Sequence, residues 1–124
     1  MKCQTVLVTI TTLALSILTA AASATEPSLK EIMQALRDNL MEITDGLLID
    51  DFDRIERGAN GIAEHPQIAP SQVKRVAEEL GPEMPQFKQF DVQVHNLSLS
   101  IAAAARAKDG DAVWADYQPL VSGC

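Results

Sequence analysis

The chain has 124 residues, with 17 acidic side chains against 10 basic ones and a formal net charge of −7. That length supports one domain with one modest core. The acidic balance excludes nucleic acid and anionic membrane surfaces as natural partners, because phosphate binding needs clustered Lys and Arg.

The chain opens on "MKCQ", followed by the uncharged run "TVLVTITTLALSILTA" and then "AASA". A basic start, an apolar middle and Ala22-Ser23-Ala24 before Thr25 form a three-part secretory signal. The expected organisation is therefore a signal peptide over 1–24 and a mature domain over 25–124. The expected location is the periplasm, with no membrane attachment after cleavage, since the apolar run is short for a bilayer span. Cys3 leaves with the signal, and Cys124 remains as the one mature thiol. One thiol makes no internal disulfide, so the fold rests on packing. Few aromatics and abundant Ala and Leu favour helices.

The first helix opens at Ser28, which forms a capping box with Glu31. Leu29, Met33, Leu36, Leu40, Ile43 and Leu47 follow at spacings of 4, 3, 4, 3 and 4, a heptad seam that Ile32 widens. Asp50 or Asp51 caps the second helix, whose stripe is Phe52, Ile55, Ala59 and Ile62 and which "EHP" ends. A short amphipathic piece follows from Ser71 to Leu80, stopped by Gly81 and Pro82. The third long helix runs from about Met84 to Ala107 with Phe87, Phe90, Val94, Leu97 and Ile101 on its stripe. "KDGD" is a turn, with Asp109 or Asp111 capping the last helix. That helix carries Val113, Trp114, Tyr117 and Leu120. Cys124 continues the stripe after "LVSG", so the apolar pattern is still running at the last residue.

No segment alternates with period two and no Gly-rich phosphate loop occurs. The expected fold is all-α, an antiparallel up-down-up-down four-helix bundle. In that topology the start of the first helix lies beside the end of the last, which brings Met33 and Cys124 to one end.

"LKEIMQALRDNLMEITDGLLIDDF", "HPQI" and "EMPQFKQFDVQVHNLSLSIAAAARAKDGDAVWADYQPLVSGC" together resemble the class II c-type cytochromes, cytochrome c-prime and its low-spin relatives. The first helix is also similar to that of the soluble b-type cytochrome of the same fold. The resemblance covers essentially the whole mature chain. It implies a haem c held through C-x-x-C-H on the last helix, with the His on one side of iron and, in low-spin members, a Met from the first helix on the other. Cys124 matches the first cysteine of that motif, and Met33 matches the Met. The second cysteine and the histidine are absent from this sequence, so the expectation for the chain as written is little or no covalent haem. The implied function is electron transfer with a redox partner protein.

Each residue has a second reading. Met33 on a heptad seam is either core filler or an axial thioether. Cys124 is a thioether site, an inert end, or an exposed thiol able to link a homodimer. Phe87 and Phe90 are core residues first and would line the macrocycle in a haem-loaded bundle. His65, before Pro66, reads as a solvent-facing residue at a helix end. His95 flanks the third-helix stripe, either hydrogen-bonded and half-buried or, with the helix rotated, a substitute iron ligand. No nucleophile–base pattern appears, so an enzyme is not expected. The alternative function is a haemless periplasmic helical-bundle interaction module, or a degenerate product.

Overall fold

The computed structural model describes residues 26–124; the expected signal peptide over 1–24 and the start at Thr25 lie outside them. Among the described residues every regular element is helical. α1 is Leu29–Ile49, α2 Phe52–Ala63, α3 Pro70–Leu80, α4 Met84–Arg106 and α5 Gly110–Gly123, with a single 3₁₀ turn at Gly81–Glu83 joining α3 to α4. No helix among the described residues is long and apolar enough to cross a membrane.

The caps follow the sequence signals closely. The Ser28 hydroxyl accepts from the Glu31 amide at 3.3 Å, and the Glu31 carboxylate accepts from the Ser28 amide at 2.8 Å. Asp51 caps α2 through the Arg54 amide, and Asp109 caps α5 through the Ala112 amide, each at 3.0 Å. These bonds satisfy main-chain donors that a helix start leaves unpaired.

α1 and α2 form a tight antiparallel pair. A Cβ on Gly58 would lie 2.6 Å from the Asn39 carbonyl oxygen, and one on Gly46 would lie 2.7 Å from Ile55 Cγ1. Both sites need glycine because the two backbones approach too closely for a side chain. Arg54 then ties the pair from outside, bonding Glu42 at 3.0 Å and Asp45 at 2.7 Å. α2 packs against α4 in the opposite sense, with Glu56 holding Arg106 at 2.9 Å and the Ala63 carbonyl facing His95. α4 turns back into α5 through residues 107–109.

α1 and α5 meet more sparsely. Thr44 and Tyr117 share a hydroxyl–hydroxyl hydrogen bond of 2.7 Å between them. The buried core, Ile43, Ile55, Ala59, Ile62, Ile101, Ala102, Ala105, Val113 and Leu120, lies among α1, α2, α4 and α5. Ser98 is the one buried polar side chain in this region, and its hydroxyl donates to the Val94 carbonyl at 2.8 Å. The core fills the half of the molecule that contains the α1–α2 and α4–α5 turns. The other half, where α1 and α4 begin, is open.

Candidate functional site

That open half holds a cleft of about 550 Å³, within the size range of ligand pockets. Its α1 wall is Ile32, Met33, Leu36 and Leu40, and Ile62 and Ile68 contribute from the end of α2 and the loop after it. Phe87, Phe90 and Val94 form the α4 wall, and Ser122, Gly123 and Cys124 close one side.

Gly123 packs on Val94, so close that a Cβ there would lie 2.9 Å from Val94 Cγ2. α4 continues ten residues from Val94 back to Met84, about 15 Å of helix. Phe87 and Phe90 of that stretch face the cleft together with Met33 and Leu36 of α1.

This corrects two expectations from the sequence. Phe87 and Phe90 are not core residues. Both line the cleft, and Phe90 keeps 40% of its surface exposed. Met33 does not pack as filler either, since 47% of its surface is open to solvent. Ile32, its neighbour on α1, is the buried residue at 2%. The heptad count gave Met33 and Ile32 the reverse ranking.

Cys124 sits on the cleft side, exposed as a residue yet partly covered at sulfur. Burial pushes its thiol above the ordinary value, so it stays protonated at neutral pH. The structure thus brings Met33, Phe87, Phe90 and Cys124 to one apolar cavity, although α1 and α5 lie at opposite ends of the sequence.

Both histidines also reach this cleft. The side chain of His65 is only 21% exposed, against the solvent-facing expectation. Its Nδ1 lies 2.9 Å from the Pro66 carbonyl oxygen, and its Nε2 is 4.0 Å from Asp91. His95 is exposed, with Nδ1 3.1 Å from the Ala63 carbonyl oxygen. Neither ring is bonded to a hydroxyl or thiol among the described residues. Arg37, Asp91 and Ile68 line the cleft as well and were not singled out in the sequence. Ile68 carried a readable signal, a large apolar residue between Pro66 and Pro70. Arg37 and Asp91 carried none, because a charge beside a stripe looks like any solvated face.

A second, more open concavity lies between the start of α1 and α3, with Phe87 shared between the two. Its central polar side chain is already occupied: Gln72 accepts from the Leu29 amide and donates to the Pro27 carbonyl oxygen at 3.2 Å. Among the described residues no group of three or more His, Cys, Asp or Glu side chains is placed to hold a metal ion. The donors available at the main cleft are instead a thioether, two imidazoles and a thiol, set in apolar walls. Iron in a porphyrin takes such donors as axial or thioether-forming groups. No protein-family profile, curated protein or solved structure matches the chain.

Proposed function

We propose that the protein is a periplasmic cytochrome of the class II c-type kind, an antiparallel up-down-up-down four-helix bundle whose cleft receives haem for one-electron transfer to a redox partner protein. The observation that carries this reading is the meeting of Met33 and Cys124 in one apolar cavity walled by Phe87 and Phe90. The pairwise antiparallel packing of α1 on α2 and of α2 on α4 supports the bundle.

Bound haem would supply the one-electron couple of its iron. The chain's own residues would do the rest. Phe87, Phe90, Leu36 and Leu40 would exclude water from the ring. Met33 would present a soft sulfur, a ligand that raises an iron potential. Cys124 would offer a thiol at the cavity side, in the place of the first cysteine of the C-x-x-C-H motif.

The test is export of two chains alongside a haem-attachment system. One is the 124-residue chain, and the other carries a short extension that restores C-x-x-C-H. The first should hold little or no covalent haem by pyridine haemochrome after acid–acetone extraction. The second should be red. A helical, monomeric extended chain that stayed colourless would sink the proposal. It would favour the haemless interaction module, for which the exposed Leu48, Ile49 and Trp114 speak.

A further inference from the structure

We infer that the α1–α2 and α4–α5 turns, with the helix ends they join, form a docking face for a basic partner, a protein segment that carries apolar side chains between Lys or Arg residues. The inference does not rest on haem. None of the residues of this face lines the cleft, and Leu48 is fifteen residues along α1 from Met33, about 22 Å.

The two turns meet. A Cβ on Gly110, the first residue of α5, would lie 3.8 Å from Cζ of Phe52, the first residue of α2. Just below them the Thr44–Tyr117 hydrogen bond joins α1 to α5. Leu48 stands one turn beyond Thr44 toward the turns. Trp114 stands one turn beyond Tyr117 in the same direction, and its ring stacks on Tyr117 with centroids 5.8 Å apart. Leu48 is 78% exposed and Trp114 53%, and Ile49 beside Leu48 is exposed too. Single apolar side chains in water are ordinary. Here the chain's one tryptophan and two large aliphatics lie on adjoining helix ends, which marks an interaction surface.

Charge selects the partner. Asp50, Asp51, Asp53, Asp109 and Asp111 belong to these turns and the helix starts after them, against Lys108 alone. Asp51 and Asp109 are caps, and Asp53 and Asp111 lie in first turns, where a helix N-terminus favours acid. Those roles leave the negative charge in place. Among the described residues none of the five is in a salt bridge, whereas Glu42, Asp45 and Glu56 are each paired with an arginine. Nor do the five converge on a cation site. A second copy would set these carboxylates against their own like. A basic partner would relieve their repulsion while it buried Leu48 and Trp114, giving an apolar centre with a charged rim.

The experiment uses the exported protein carrying Cys124→Ser, which prevents disulfide linkage, with Trp114 as the reporter. The probe is a synthetic amphipathic helix whose leucine stripe runs between lysines. Trp114 emission should shift to the blue and saturate at low salt, and binding should weaken as salt rises past about 0.15 M. The same stripe set between glutamates should not bind. Leu48→Ser should weaken binding about tenfold. The double variant Asp50→Asn, Asp111→Asn, which keeps both caps, should bind more weakly at low salt and depend less on salt. Leu99→Ser, at an exposed apolar residue of α4 outside the face, should change nothing. No blue shift, or equal binding by a folded Leu48→Ser chain, would overturn the inference. Equal binding by the double variant at every salt concentration would remove the basic partner. A dimer of the chain alone, lost in Leu48→Ser on sedimentation, would give the face to a second copy instead. Leu48→Ser should leave haem uptake by the extended chain unchanged, so failure here is separate from failure of the haem reading.

Discussion

At Gly58 the α1–α2 pair leaves no room for one carbon atom. A Cβ there would sit 2.6 Å from the Asn39 oxygen and 2.9 Å from Ile43 Cγ1. The first contact is backbone, so a rotamer change cannot relieve it. Gly58→Ala should cost about 1–3 kcal/mol as an overpacked core site. That is a fall in Tm of about 4–8 °C per kcal/mol for a domain of this size, readable by circular dichroism. An unchanged Tm would mean that the two helices separate without penalty. Cys124 gives a second residue-scale prediction. Its thiol is pushed up by burial, and the thiolate is the species that reacts. A disulfide-linked dimer should therefore form slowly at neutral pH and faster as pH rises, and Cys124→Ser should abolish it on a non-reducing gel. Glu42 gives a pH dependence of the opposite sense. The hydrogen bond from Arg54 holds its carboxyl below the usual value of 4.5. Its contribution is complete above that value and is lost as pH falls through the lowered one. An acid melt of Arg54→Gln should show less loss in that interval than wild type.

The helices were legible at the element scale because their signals are local. The capping box at Ser28, the Asp caps and the Gly81-Pro82 stop depend on neighbours in sequence, and each bond formed as expected. The turn between α4 and α5 was legible only in outline. The left-handed residue in "KDGD" is Lys108, with φ 56°, while Gly110 is the first residue of α5. The Asp109 cap claims the position before α5, so the tight residue lies upstream of it. Lys108→Gly should therefore raise stability by about 0.5–1 kcal/mol, since an L side chain pays to hold that angle. A lower Tm for Lys108→Gly would show that contacts of the lysine stem outweigh the angle. The cleft was not legible from any one element. Met33 and Phe90 satisfy their stripes, and a stripe records only a period, not how closely the other helices pack on each of its positions.

Burial among the described residues is uneven. Ile43, Ile55 and Ile101 are at most 1% exposed, while Met33 and Phe90 keep nearly half their surface in water. Local stability should follow that division, because opening a segment costs little where few apolar contacts must break. Native-state hydrogen exchange should find the slowest amides around Ile43, Ile55 and Ile101. It should find faster exchange in the first turns of α1 and α4, in α3 and at the end of α5. The same gradient predicts what a cleft ligand does. A molecule that binds only the folded chain adds about 2.7 kcal/mol at a hundred times its Kd. That free energy should appear as added protection at the open half, on both sides of Met33, Phe90 and Cys124. Exchange in the packed half should slow only where it proceeds by global unfolding. If ferric haem raised Tm without protecting the amides of α1 and α4 that flank the cleft, it would be binding elsewhere. The exposed Leu48, Ile49 and Trp114 would then be the surface to examine. Protection confined to the cleft would join the ligand, the cavity and the stability gradient in a single measurement.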